Sequence, residues 1–179
     1  MIVFENCNLI DGITDELREG VHVAIEGNLV REVSDVPIKS EGARRIDLKG
    51  RTLMPGLIDA HSHVYAIHLN QELTRDMPHT LMMAHAVPRI RDMLARGFTS
   101  IRDVAGGDFG IKKAVADGII AGPRIFIAGR ALSQTGGHGD HRFLTDESVP
   151  CACTSALDIM TRLADGEDGV RLAAREELR

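Results

Sequence analysis

The sequence predicts an α/β protein in which a small antiparallel β unit precedes a series of alternating strands and helices. Three observations carry this. Val21, Val23 and Ile25 alternate with His22 and Ala24, and Glu26-Gly27-Asn28 supplies a hairpin turn into a second alternating run. LIDAH, Leu57 to His61, reads as a strand covered on both faces. From there the order strand, helix, strand, helix, strand requires parallel pairing with right-handed crossovers.

The elements follow in order. Over the first fifty residues short strands and turns prevail; VPIKSEGARR is polar and loop-like, and IDLKGRTLMPG adds a short strand that stops at Pro55-Gly56. After LIDAH, Met83, Val87, Ile90 and Leu94 recur at helical spacing in a segment ending before Gly97, with Thr80 as its cap and a kink at Pro88. FTSIRD is the next strand and AGGDFG a loop, with Asp108 capping a short helix that Gly118 closes. PRIFIAG is the third strand. In EDGVRLAAREELR, Val170, Ala173, Ala174 and Leu178 share a face and Arg and Glu alternate elsewhere, which predicts a helix with a solvated side. No strand follows it, so the chain reads as the opening portion of something longer.

Composition narrows the class. The 179 residues are 44% hydrophobic and 26% charged, enough for one core or a little more. A net charge of -5, one Tyr and no Trp argue against a nucleic-acid or polybasic membrane partner. Neither a spanning apolar stretch nor a secretory leader is visible, so the expected address is cytoplasmic. Cys7, Cys151 and Cys153 do not suggest a disulfide scaffold.

The sharpest feature is MPGLIDAHSHVYA. Residues i and i+2 of a strand share a face, so His61 and His63 are expected to project together from the C-terminal end of the first strand of the series. That end is where such folds place their chemistry, and two neutral imidazoles there can ligate one divalent ion. With eight histidines in the chain, H-x-H alone is a weak signal. Asp59 shares the predicted face and could orient a histidine, and Asp103 ends FTSIRD close by. His138 and His141 with Cys151 and Cys153 form a weaker candidate for a structural zinc site. AGGDFG lacks the G-x-G-x-x-G spacing of a dinucleotide loop.

PGLIDAHSH, following a small β unit and opening a β/α series, resembles the signature of the amidohydrolase superfamily. GRALSQTGGHGDHR, Gly129 to Arg142, resembles its Xaa-Pro dipeptidase or prolidase-like carboxypeptidase branch. The resemblance implies that residues 1–55 are the N-terminal part of a β-sandwich domain. Residues 56–179 would be the first half of a (β/α)8 TIM-like barrel, incomplete in this chain because a barrel takes about 250 residues. It implies one or two divalent metals, most often zinc, with His61 and His63 as ligands and Asp59 and Asp103 beside them. His138 and Gly137 would sit on a loop at the barrel mouth, contacting substrate or the oxyanion. The implied substrates are dipeptides or N-acyl amino acids cleaved to release the C-terminal residue, by a protein that is a homo-oligomer at full length. The pattern also requires a bridging lysine, two further histidines and a catalytic aspartate. Lys112 and Lys113 fall in the second predicted helix and cannot be that lysine. Residues 1–179 alone are therefore expected to be inactive. A catalytically silent scaffold domain, and an amidohydrolase of another subgroup acting on a cyclic amide or imidazolone, are the alternative readings.

Overall fold

A computed structural model of the chain describes residues 1–70, 73–74, 77–142 and 159–178. The chain divides into two compact units, Met1–Pro55 and Gly56–Arg179.

In the first unit β1 (Ile2–Leu9), β2 (Arg18–Glu26) and β3 (Leu29–Ser34) form an antiparallel meander, and Gly27 makes the β2–β3 turn with φ 61°. The expectation of a purely antiparallel unit is corrected on the other side of β1. There β4 (Arg44–Asp47) and β5 (Thr52–Leu53), two strands where one was predicted, both pair with β1 in parallel. Asn6, with φ 53°, lies in β1 between the two ladders. Cys7, Leu9, Val21 and Val23 form one small core, and Val3, Ala24 and Ile38 another. Burial raises the Cys7 thiol above its ordinary range, which suits packing rather than reactivity.

The second unit runs β6 (Leu57–Ser62), α1 (His79–Ala95), β7 (Phe98–Asp103), α2 (Phe109–Ala116) and β8 (Arg124–Ile127). The three strands form a parallel sheet in the order β6-β7-β8, so the α/β assignment holds. Ile101 and Ile125 occupy paired positions and meet α1 and α2 in a core with Met82, Ala86, Ile90 and Ile111. The buried stripe of α1 is therefore Met82, Ala86 and Ile90, one residue earlier than the predicted face except at Ile90. Leu94 is exposed. Pro78, not Thr80, precedes the helix, which continues through Pro88. Asp108 does cap α2, its carboxylate accepting from the Ile111 amide at 2.9 Å. Met82 is fully buried, and Met82→Ala is expected to cost about 2–5 kcal/mol. Urea unfolding measures it, and a loss under about 1 kcal/mol would place this helix face outside the core.

Two further strands were not foreseen. β9 (Ala131–Ser133) and β10 (Thr161–Leu163) pair in parallel, and α3 (Gly166–Glu177) follows. Of the predicted apolar face of α3, Ala173 is buried, whereas Val170 and Leu178 are exposed. Glu177, assigned from sequence to the solvated side, turns inward: its carboxylate takes the Arg130 amide and guanidinium, both at 2.8 Å. Among the described residues no helix is long and apolar enough to cross a membrane.

Candidate functional site

β6 carries its histidines at and just beyond an irregularity in its pairing with β7. Asp59 pairs with Ile101 and Ser62 with Asp103, so β6 uses three residues where β7 uses two, and His61 lies in the resulting bulge. Bulges re-aim side chains and raise local twist. Asp59 stabilises this one, its Oδ1 accepting from the His61 amide at 3.0 Å. The carboxylate thus orients the backbone of His61, two residues along its own strand. Ser62 is buried, His61 exposed and His63 half-buried just past the strand end. The two imidazoles come together edge to face, ring centroids 5.3 Å apart and planes at 77°.

Nδ1 of His63 lies 3.3 Å from the Ala105 carbonyl oxygen. A carbonyl only accepts, so this contact requires a proton on Nδ1 and leaves the Nε2 lone pair as the free donor of the neutral ring. The chain beyond His63 is pinned as well. Val64, Tyr65 and Ile67 are buried, and the Arg89 guanidinium of α1 donates to the carbonyls of Ala66, at 2.7 Å, and Ile67. Burial, with the Asp108 and Asp103 charges behind it, pushes the Tyr65 phenol up to about 12. It stays protonated at neutral pH.

Asp103 closes β7 at 0% exposure. Its Oδ2 accepts from the Val64 amide at 2.7 Å, and its Oδ1 accepts from the amides of Ala105 at 3.1 Å and Gly107 at 2.8 Å. Burial pushes this carboxyl above the ordinary range, while the three amides and the nearby His63 pull the other way. Gly107 is needed for the approach, since a Cβ there would stand 2.6 Å from Asp103 Cγ.

The glycine-rich loop is organised by other groups. Gly136 has φ 69°, whereas at Gly137 a Cβ would meet Ser133 Oγ at 2.7 Å and the Gln134 carbonyl at 2.9 Å. Gly137 therefore allows the loop to pack on itself. His138 is exposed. His138 is not held by the nearby Asp140. Asp140 binds the Arg142 guanidinium at 2.5 and 2.7 Å and the Gly136 amide at 2.8 Å. Asp165, just before α3, takes the Thr135 amide at 2.9 Å and its hydroxyl at 2.5 Å. Burial, and then the charge of His138, lower the His141 pKa. Among the described residues no hydrogen bond, ion pair or ring contact joins His138 to the His61–His63 pair. Cys151 and Cys153 lie outside the described residues. Lys112 and Lys113 lie on α2, exposed, with Lys113 paired to Asp117.

The Arg142 contact, with the Gly136 amide, holds Asp140 well below the usual carboxylate range, and Thr135 lowers Asp165. Both folded-state values lie below the unfolded ones. Their contribution to loop order is therefore complete above about pH 4 and is lost as pH falls through the depressed values. Protection factors of the Thr135 and Gly136 amides should fall below about pH 4 and be flat above it. Acceleration on going from pH 5 to 8, beyond the intrinsic base-catalysed rise, would contradict this assignment.

Sequence reasoning missed Ala105, Arg89 and Asp165. The first acts through a main-chain carbonyl, which carries no residue-type signal, and the other two act on backbone distant in the sequence. For a metal ion, the His61 and His63 nitrogens fit as two of the four donors of a zinc site. Among the described residues no group of three or more His, Cys, Asp or Glu could complete it.

Known proteins resemble this chain over nearly its whole length. A solved amidohydrolase is 48% identical, with a TM-score of 0.87 over 99% of this chain and 44% of its own. A prolidase solved in complex with N-methylphosphonate-L-proline is 44% identical, with a TM-score of 0.89 over 99% of this chain and 43% of its own. The ochratoxinase of Aspergillus niger is 34% identical over 190 aligned residues, 96% of this chain and 38% of that protein. The chain thus spans less than half the length of these relatives. The amidohydrolase family pattern itself matches residues 52–179, from β5 through the bulged strand, the Asp103 loop and α3, and the chain belongs to the amidohydrolase family.

Proposed function

We propose that this chain is the metal-binding N-terminal portion of a metal-dependent amidohydrolase that cleaves dipeptides or N-acyl amino acids and releases the C-terminal residue. In this reading residues 56–179 are the first half of a (β/α)8 barrel and residues 1–55 part of a β-sandwich. The observation that carries the proposal is the imidazole pair at the end of β6, with His63 Nδ1 engaged by Ala105 and Nε2 left free. His61 and His63 would hold the ion, most often zinc in this superfamily. When bound, zinc lowers the pKa of its water toward about 7 and polarises a carbonyl. The chain's own groups hold the ligands still: Asp59 through the His61 amide, and Ala105 through the His63 ring.

The substrate class draws support from the similarity to the prolidase. Its ligand carries a tetrahedral phosphorus on the proline nitrogen, where an N-acyl amino acid carries its carbonyl carbon. His138, exposed on its self-packed loop, is proposed to meet the substrate or the developing oxyanion.

Zinc titration of the purified chain against a chromophoric chelator tests the ligand assignment. His61→Ala and His63→Ala are each expected to weaken binding by about 100-fold or more, since even an indirect partner of a metal ligand is worth about 10–100-fold. Neither should shift the unfolding midpoint greatly, because His61 is exposed and His63 half-buried. Equal zinc affinity in all three proteins would remove the basis of the proposal. Hydrolysis of Xaa-Pro dipeptides and N-acyl amino acids is expected only once further ligands join this pair. Zinc-dependent turnover by residues 1–179 alone would contradict the two-donor reading.

A further inference from the structure

We infer that Asp103 is a positioning residue that makes Nε2 of His63 the nitrogen offered to a metal; this deepens, and rests on, the reading of His61 and His63 as ligands. One carboxylate holds both halves of the frame around the ring. Oδ2 takes the amide of Val64, the peptide group that follows His63, at 2.7 Å. Oδ1 takes the amide of Ala105 at 3.1 Å, and the carbonyl of that same Ala105 is the partner of His63 Nδ1 at 3.3 Å. The ring's attachment and its acceptor are thus referred to a single buried side chain on the neighbouring strand.

The remaining bonds tighten the frame. The Gly107 amide gives Oδ1 a second donor, and the Val104 amide donates to the Ser62 carbonyl at 3.0 Å, tying the loop to the residue before His63. Asp59 does not share this task, because its carboxylate acts on the His61 backbone. In metal sites the group on the second ring nitrogen fixes the tautomer and the ring's orientation. Here that group is a carbonyl, whose own peptide N–H, that of Gly106, donates to the Gly129 carbonyl at 2.9 Å, and the carboxylate acts one step further out by holding the amides on either side, those of Ala105 and Gly107. Rotation of Ala105 away from His63 would cost Asp103 a hydrogen bond as well.

The test compares the wild-type chain with Asp103→Asn and Asp108→Ala. The Asn variant keeps one acceptor oxygen and places an NH2 group where the other carboxylate oxygen stood, so one side of the frame loses its anchor. Asp108→Ala removes the α2 cap, which accepts from Ile111 at 2.9 Å, and leaves the frame intact. It is the control for destabilisation alone. Long-range proton–nitrogen spectra of the His63 ring report the tautomer without metal, and chelator competition reports zinc affinity. Expected are an Nδ1–H tautomer in the wild type, a mixture in Asp103→Asn with zinc affinity lower by about 10–100-fold, and wild-type values of both in Asp108→Ala. A wild-type tautomer and affinity in Asp103→Asn, or an equal loss in Asp108→Ala, overturns the positioning role. Undiminished zinc binding by His63→Ala would instead overturn the ligand reading and with it the ligation half of this inference. The tautomer shift would then decide alone whether Asp103 orients the ring.

Discussion

Asp103→Ala is expected to destabilise the Gly56–Arg179 unit by about 3–5 kcal/mol, the cost of leaving buried backbone amides without their acceptor. Three backbone amides, those of Val64, Ala105 and Gly107, lose their acceptor together. Asp103 is completely buried, so solvent does not replace it without local opening. A buried donor left unsatisfied costs about 1–3 kcal/mol, but the three share one carboxyl group and do not add in full. Urea denaturation at pH 7 gives the number directly. A loss below about 1 kcal/mol would show that the loop finds other partners, and the strand-end frame described above would not be held by this residue.

Gly107→Ala should be nearly as damaging for a steric reason. Its new methyl would lie 2.6 Å from Asp103 Cγ and 2.9 Å from both Cβ and Oδ1. Neither group can yield cheaply, since the carboxylate is tied to three amides and the glycine to the loop. A cost of about 2–3 kcal/mol is expected, in the upper range for overpacking a tight site. The two substitutions act on one contact, so they should not add. In the Asp103→Ala background the glycine change should cost at least about 1 kcal/mol less than in the wild type. Strict additivity in that double-mutant cycle would place the damage elsewhere.

Much of the fold could be read from local pattern. FTSIRD is β7 from its first residue to its last, Asp108 caps α2, and Gly27 turns the β2–β3 hairpin. In each case one residue type has a strong conformational reason to be where it is. The errors lie where a partner distant in sequence decides the outcome. β4 and β5 pair in parallel with β1, a strand some forty residues earlier. The core stripe of α1 depends on how the helix is rolled on Ile101 and Ile125, which no periodicity within the helix specifies.

At the candidate site the residue types were legible and the geometry was not. Two histidines one residue apart are visible in a string of letters, and their rings do meet on one side of the strand, with Ser62 buried on the other. The irregularity between Asp59 and Ser62, which separates Asp59 from the pair, was not visible. The glycine-rich loop was legible as a loop. That Asp140 answers to Arg142 and Thr135 to Asp165 was not, because exposed charges choose partners through space.

What the sequence by itself determined is the chemistry available and the period of each element: imidazoles after an apolar strand, a carboxylate ending the next, glycines where only glycine fits. Local sterics and side-chain functional groups suffice for that. Only the tertiary structure decided which nitrogen of His63 is engaged, which amides Asp103 serves and which face of α1 is buried. The first two depend on loop backbone groups from separate segments meeting around one buried carboxyl group, where an unmade hydrogen bond is costly, and the third on how the helix packs against Ile101 and Ile125. Such meetings are a property of the packed chain and have no counterpart in the order of its residues.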